Sequence, residues 1–436
     1  RCARLSRMTS TPSTTTHVSQ SECNTAQDCG MRWFAQWYLG LRHAGPEGPP
    51  ARVGSLGHAC LGAHVLALAE PETFNGPPDF YAAMLAEARK RHYIFADDDW
   101  CDASQDLLDH AHLAHQAAHT LITSPEFDVR RPVMLDGRPL VEQRLHATWE
   151  QLARSAGLVL PDALRRALAW HRLGMEGTPD VAHYGNAAVA DIDAPVYLDD
   201  YKMRTRPVDG TPADNVVADP QGAFYKMLLA ALGADGNGRR EVVFRQGNVY
   251  AGRWMTLEDF IDPGSPYVVS SGLPTRDEKR MPGMVRAEVW REAWRVLEER
   301  RRIATADNPK GPRLPTTSEY HEANRFIEDL SYRKAVQVSR WRLDHTVCLE
   351  VVRDMLAAVA MRLAQVDAGI TPGRHLRTWK QAPCVRPFGC DVSSPCLASL
   401  GSNNAEATLR EHLGAGRFRL DVLPAVGDHD DAPEAA

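Results

Sequence analysis

Apolar residues recur at helical spacing along most of this chain. Between residues 21 and 41, for example, Met31, Phe34, Tyr38 and Leu41 would lie on one side of a helix. The same spacing predicts further helices, separated by segments rich in Gly and Pro. The predicted helices cover residues 21–41, 54–69, 77–90, 104–121, 220–232, 284–302, 318–330 and 344–366.

Three segments nearer the middle of the chain have patterns typical of strands instead. They cover residues 140–149, 195–202 and 241–250, and Val196, Leu198 and Tyr201 supply the apolar positions of the second. The order is therefore helices, a small β core that contains one helix, and helices again. This order predicts an α/β fold in which helical insertions surround a small sheet.

Composition excludes several classes of protein. The 436 residues are 44% hydrophobic and 24% charged, which excludes a wholly disordered, collagen-like or coiled-coil chain. At about 150 residues per domain, the length alone suggests two or three domains. The net charge of −6 argues against a non-specific nucleic-acid binder, although local charge can differ from this sum.

The sequence shows no signal for a membrane or for secretion. No run of 18 apolar residues occurs, so we expect no transmembrane helix. Residues 1–16 are rich in Ser and Thr, lack an apolar signal core and are expected to be a disordered lead. Position 1 is Arg, and Met8 is a plausible start of the reading frame.

Three short motifs that follow one another suggest metal-assisted phosphodiester hydrolysis. They are Gly57-His58, a Gly-x-x-Asp that ends at Asp180, and Asp200-x-Lys202 at the end of a predicted strand. Hard divalent cations prefer carboxylate oxygens, and two carboxylates on neighbouring strands can share one ion. Lys202 would lie on the same face as Asp200, because side chains of a strand alternate with period two.

Each of these motifs also has a plainer interpretation. Asp-x-Lys occurs by chance and then forms a surface ion pair, and a lone His58 on an apolar helix is usually a core residue. A further signal favours a site: Gln221 and Tyr225 are four residues apart on a predicted helix and share one face. The plain alternative for this pair is a core tyrosine beside a solvated glutamine.

The ordered set of motifs resembles the PD-(D/E)XK nuclease superfamily, and most closely its RecB-type exonuclease branch. That branch includes the AddB nuclease domain, the CRISPR-adaptation exonucleases and many phage-encoded homologues. The likeness covers residues 18–397. It rests on Ser19-Gln-Ser21, Cys29, Gly54-Ser-Leu-Gly-His58, Asp180, Asp200-Tyr-Lys202, Gln221-Gly-Ala-Phe-Tyr225, Cys384, Cys390 and Cys396.

The resemblance implies a small mixed β-sheet nuclease core, similar to restriction endonucleases, flanked and elaborated by helices. It implies that His58, Asp180 and Asp200 bind Mg²⁺ or Mn²⁺ and that Lys202 is the catalytic lysine. Asp180, Asp200 and Lys202 would thus be catalytic, and Gln221 and Tyr225 would support the active site and bind DNA.

Some neighbouring residues depart from or extend this pattern. Met203-Arg204-Thr205 stands where family members often have Thr-Gly after the lysine. Arg204 and Arg206 adjoin Lys202 and are candidates for contacts with phosphates. Asp199 adjoins Asp200, so either carboxylate could reach a metal. Glu142 resembles an acidic strand position upstream of the core and is a minor candidate.

Three cysteines lie close together in a segment rich in Pro, Gly and Ser, which suggests thiolate ligation. In the branch that the chain resembles, Cys384, Cys390 and Cys396 would hold a 4Fe-4S cluster together with Cys29. Zinc bound by the same four residues and unligated cysteines are the alternatives. Cys23 is a possible substitute for Cys29.

Two other patterns do not point to a site. His112, His115 and His119 share a helix face but lack the Glu of a catalytic zinc motif, so a polar helix face is the favoured interpretation. The sequence contains no P-loop, so we expect it to carry no helicase motor of its own.

The sequence therefore predicts a metal-dependent deoxyribonuclease, an exonuclease on single-stranded DNA or DNA ends, in recombination, repair or phage DNA processing. We expect a single nuclease domain over residues 17–400 and an extension with an acidic tail over residues 401–436. A bacterial or phage-infected cytoplasm is expected, and the sequence leaves open whether a separate helicase or recombinase is a partner. The alternatives are an inactive nuclease-like module that binds DNA or protein, and a scaffold protein of a phage or mobile element.

Overall fold

A computed structural model describes most of the chain. The described residues are 15–43, 47–71, 77–185, 194–204, 219–236, 240–262, 264–267, 284–310, 313–329, 335–369 and 418–420. Arg206 and the cysteines at 384, 390 and 396 lie outside them.

The helices of the described residues fall mainly before and after the central strands. They are α1 (Gln20–Asp28), α2 (Gly30–Trp33), α3 (Pro49–Ala69), α4 (Phe80–Lys90), α5 (Gln105–Ile122), α6 (Trp149–Ser155), α7 (Asp162–Ala169), α8 (Pro220–Ala231), α9 (Leu257–Ile261), α10 (Ala287–Asp307), α11 (Thr317–Asp329) and α12 (His345–Asp367). A π-helical turn, Phe34–Tyr38, continues α2.

The described strands are short, apart from three in the centre. They are β1 (His17–Ser19), β2 (Leu41–His43), β3 (Met134–Leu135), β4 (Arg138–Pro139), β5 (Leu145–Thr148), β6 (Gly174–Gly177), β7 (Val181–His183), β8 (Val196–Arg204), β9 (Val242–Tyr250), β10 (Trp254–Met255), β11 (Met284–Val285), β12 (Val336–Arg342) and β13 (Phe418–Leu420).

Two mixed sheets organise the molecule. The larger has the order β12-β9-β8-β7, in which β8 and β9 are parallel and the other pairs are antiparallel. The smaller has the order β1-β6-β5, with β1 parallel and β5 antiparallel to β6. The predicted α/β class with a small mixed core flanked by helices is thus confirmed.

Helices cover both faces of the larger sheet. On one face, Leu198 of β8 and Phe244 of β9 belong to the same buried cluster as apolar residues of α8 and α12. On the other face, Tyr201 and Val249 belong to a second cluster with residues of α3 and α5. Strand β8 is therefore covered on both sides, and successive side chains along it enter different environments.

Some sequence predictions were wrong in detail. The predicted helix 21–41 is divided into α1, α2 and the π-helical turn, because Cys29 has an extended conformation between the first two. The predicted strand 140–149 contains only β5, because Glu142 has φ +48° and Thr148 caps α6 through its side chain. The strands β1, β6, β7 and β12 were not predicted.

Candidate active site

Strand β8 brings together the two residues of the Asp-x-Lys motif. The Nζ atom of Lys202 lies 2.7 Å from Oδ1 of Asp200. Asp200 is 1% exposed, whereas the Lys202 side chain is 36% exposed. The lysine therefore joins a buried carboxylate to a surface that a substrate can reach.

Asp199 occupies the opposite face of β8. Its carboxylate accepts hydrogen bonds from Nε and Nη2 of Arg245, at 2.6 and 2.5 Å, and lies 3.2 Å from Nε2 of His183. Burial alone would raise the pKa of Asp199, but the charges of Arg245 and His183 outweigh it and hold the pKa well below its usual range. Of the two neighbouring aspartates, only Asp200 lies beside Lys202.

Asp180 stands immediately before β7 and is fixed to the neighbouring strand. Its Oδ2 accepts a hydrogen bond of 2.6 Å from the backbone N–H of Tyr201, between the two motif residues of β8. Burial raises the pKa of Asp180, and the charges of Asp200 and Glu142 raise it further, while that of His58 lowers it. Several carboxylates thus lie close together in a buried environment, and a bound cation would stabilise their charged forms.

His58 reaches this place from α3. A Cβ atom on Gly57 would come within 2.9 Å of Cε of Met203, so the lack of a side chain lets α3 approach β8 closely. Nδ1 of His58 lies 2.8 Å from Oε1 of Glu142 and 3.5 Å from Oδ1 of Asp180. Burial lowers the pKa of His58, but these two carboxylates outweigh it and raise the pKa to about 9.

Glu142, only a minor candidate in the sequence, lies at the centre of the cluster. Its backbone N–H donates to the carbonyl of Asp180 at 3.0 Å. Its φ of +48° is uncommon for a residue with a side chain. Sequence periodicity could not place this side chain, because the residue interrupts the strand from which its orientation would be inferred.

Helix α8 supplies the Gln-Tyr pair. Asp219 caps the helix by accepting from the backbone N–H groups of Gln221 and Gly222. Nε2 of Gln221 then donates to Oδ1 of Asp200 at 2.7 Å and lies 3.2 Å from the hydroxyl of Tyr225. The Tyr225 hydroxyl in turn donates to the carbonyl of Thr178 at 3.1 Å. The predicted shared face is therefore present, and it faces the Asp-x-Lys motif.

The sequence model of the PD-(D/E)XK nuclease superfamily matches residues 17–316, more than half of the chain. The chain belongs to the PD-(D/E)XK nuclease superfamily. No curated protein and no solved structure matched it.

Membership of this superfamily indicates a metal-dependent nuclease with DNA as the substrate. The side chains fit a divalent ion: one ligand atom each of His58, Glu142 and Asp180 lies within 4.8 Å of the others. Asp200 is outside this group of three, but its charge acts on Asp180 and its oxygens accept from Lys202 and Gln221. The carboxylates suit Mg²⁺ or Mn²⁺, which prefer oxygen ligands, and the imidazole of His58 would complete the set.

Two further polar residues flank this candidate site. Gln246 faces Asp200 in the parallel register of β8 and β9, and its Nε2 lies 3.4 Å from Oδ2 of that carboxylate. Sequence reasoning missed Gln246, although its position in a predicted strand was a usable signal. Arg204 ends β8, and its Nε donates to Oδ1 of Asn248 at 3.0 Å. This contact holds its guanidinium near the exposed end of the strand.

The cysteine predictions are only partly within the described residues. Cys29 is half-buried and lies between α1 and α2, whereas Cys23 is fully buried. Burial raises the pKa of Cys23 well above its usual range, which disfavours the thiolate that a metal needs. Cys29 is thus the better placed of the two. The three other proposed ligands lie outside the described residues.

The histidines of α5 do not form a metal site with one another. In the described part of the chain, the groups of three residues with ligand atoms close enough for one ion do not include His112, His115 or His119. His112 lies beside Gln116, and the ring of His115 stacks on that of Tyr81 with centroids 5.3 Å apart.

No helix among the described residues has the length and apolar character needed to span a membrane.

Proposed function

We propose that this superfamily member is a DNA exonuclease that uses Mg²⁺ or Mn²⁺. His58, Asp180 and Asp200 would hold the ion, joined by Glu142. The observation that carries the proposal is that His58 of α3 lies beside Glu142 and Asp180, and that Asp180 accepts from the backbone N–H of Tyr201. Tyr201 stands on β8 between Asp200 and Lys202, which form an ion pair. A chance Asp-x-Lys pair would not be surrounded in this way.

The chain's own residues would divide the work of phosphodiester hydrolysis. A bound divalent ion lowers the pKa of its water and stabilises charge on the phosphate oxygens. Lys202, whose side chain is 36% exposed, would place a positive charge where the phosphate becomes more negative. Gln221 and the backbone N–H of Tyr201 would keep the two aspartates oriented, through the hydrogen bonds that each donates.

Binding of the DNA strand would fall to polar groups around the site. Gln221 and Tyr225 lie along one face of α8 beside Asp200, and Arg204 adds a cation at the end of β8. Phosphate contacts of this kind position a strand without reading its sequence. Arg206 would extend the basic rim.

Action on DNA ends is the part of the proposal that comes from the likeness to the RecB-type branch. It is tested with linear and circular single-stranded DNA of equal sequence, incubated with Mg²⁺ and with Lys202→Ala as the inactive control. We expect the wild-type chain to degrade the linear DNA and leave the circle intact. Cleavage of the circle at the same rate would show an endonuclease instead, and no cleavage of either would support the inactive binding module.

We further propose that Cys29, Cys384, Cys390 and Cys396 hold a 4Fe-4S cluster. The half-buried position of Cys29 at a break between two helices supports it as the N-terminal ligand. Protein purified without oxygen should be brown and absorb near about 400 nm, and Cys390→Ser should lose the iron. A colourless protein with stoichiometric zinc at these cysteines would contradict the cluster.

A reducing cytoplasm, in bacteria or phage-infected cells, is the proposed setting. Its support is that the described cysteines, Cys23, Cys29, Cys60, Cys101 and Cys348, form no disulfide with one another. Because the sequence has no P-loop, a separate helicase or recombinase would supply the DNA ends.

A further inference from the structure

A second group of metal-binding side chains lies on the smaller sheet and shares no residue with the active site. It consists of His17 on β1, His146 on β5 and Glu176 on β6. The register of the three strands explains why these side chains lie close together. His146 is the cross-strand partner of Glu176, and His17 is the partner of Gly174, two residues before Glu176 on the same face.

The distances between these side chains suit one ion. One ligand atom of each residue lies within 4.8 Å of the others. Nδ1 of His146 is 3.7 Å from Oε2 of Glu176, and the centroids of the two imidazole rings are 4.9 Å apart. His17 is 8% exposed and the His146 side chain is 40% exposed, so the group is open to solvent on the side of His146.

Neighbouring residues hold two of these side chains in place. The Thr16 hydroxyl lies 3.0 Å from Nδ1 of His17, which leaves the Nε2 atom of that ring for an ion. Histidines that bind metals usually make such a hydrogen bond through the other nitrogen. Arg144 donates to Oε2 of Glu176 at 2.8 Å, which fixes the orientation of this carboxylate.

We propose that His17, His146 and Glu176 form a second metal site, which binds a zinc-class transition ion and joins β1 to β5 across β6. Two imidazoles and one carboxylate are a ligand set that zinc prefers, whereas Mg²⁺ prefers oxygen ligands. A water from the open side would complete four-coordination. The ion would be structural: it would fasten β1, a strand of three residues, to the sheet from which the chain continues to Asp180.

The test uses the full chain, freed of metal with a chelator, and measures bound zinc per chain and the zinc-induced change in Tm. His146→Gln is the main variant, because His146 is partly exposed and its replacement leaves the buried residues in place. His112→Gln, at an exposed histidine of α5, is the matched control. We expect the wild type and His112→Gln to bind equal amounts of zinc, and His146→Gln to bind one equivalent less.

We also expect His146→Gln to lose the part of the rise in Tm that this zinc ion causes. His17→Gln should show the same loss, provided that its Tm without zinc equals that of the wild type. Any zinc held by the active site or by cysteines is present in both His146→Gln and the control, so the difference between them reports only the zinc at the second site. This measurement does not depend on nuclease activity. Equal zinc content and equal rise in Tm in His146→Gln and the wild type would overturn the proposal.

Discussion

The neighbouring carboxylates of Asp199 and Asp200 point to opposite faces of β8, one toward Arg245 and the other toward Lys202. Asp199 is 1% exposed and its partner Arg245 is 2% exposed, so this ion pair is buried. The ion pair of Asp199 and Arg245 lies on the face of β8 opposite to Asp200 and Lys202. We therefore expect separate tasks for these two adjacent aspartates: Asp199 would stabilise the fold, and Asp200 would act in the proposed active site.

Asp199→Asn should destabilise the fold, because it leaves the charge of Arg245 buried with only the half-exposed Asp128 to compensate it. The expected loss in free energy of unfolding is about 3–5 kcal/mol, which is typical of breaking a buried pair. Urea unfolding measures it, and Asp200→Asn is the matched control. Equal losses in the two variants would contradict the assignment of separate tasks.

The same ion pair predicts a dependence of stability on pH. The folded pKa of Asp199 is below its value of about 3.9 in the unfolded chain. As pH falls from about 5 to 3, the unfolded chain binds a proton that the folded chain does not, so stability falls. The free energy of unfolding should therefore decrease more steeply over this range in the wild type than in Asp199→Asn. Parallel curves would exclude this contribution.

A second buried ion pair joins α1 to the segment between α7 and β6. The side chains of Glu22 and Arg172 are fully buried, with Nη2 2.6 Å from Oε1, and Trp33 also donates to that oxygen at 3.0 Å. Glu22→Gln should lower the free energy of unfolding by about 3–5 kcal/mol, since Arg172 loses its counter-charge. Replacing both residues with apolar ones, as in Glu22→Leu with Arg172→Met, should recover part of the loss. A double variant less stable than Glu22→Gln would contradict this account.

Tyr225→Phe tests the hydrogen-bond chain from Thr178 through Tyr225 and Gln221 to Asp200. The variant keeps the packed ring and removes only the hydroxyl. We expect the cleavage rate to fall by about 3- to 10-fold, the equivalent of one hydrogen bond, with little change in Tm. Steady-state cleavage of labelled DNA measures it. An unchanged rate would show that the chain of hydrogen bonds does not support Asp200.

The sequence was sufficient to predict the long amphipathic elements and the motifs within them. Helices α3, α5 and α12 and strands β8 and β9 lie within a few residues of their predicted bounds, because their apolar positions recur over many residues. The meeting of His58, Asp180 and the Asp-x-Lys motif was also anticipated.

Shorter and non-local features escaped sequence reasoning. Strand β6 is buried along most of its four residues, so it has no alternation to detect, and its partner β1 lies more than 150 residues away along the chain. Glu142 owes its position to a positive φ, which residue type alone does not predict. The clearest gap was thus the placement of Glu142, the third acidic member of the site.

The most direct test of the central claim is the cleavage rate of end-labelled single-stranded DNA as a function of Mn²⁺ concentration. The rate is measured for the wild type, Asp180→Asn and Asp200→Asn, with urea unfolding to verify that each is folded. The account predicts metal-dependent cleavage that EDTA abolishes in the wild type and no cleavage by folded Asp200→Asn. Full activity of Asp200→Asn, or cleavage by the wild type that persists in EDTA, would contradict it.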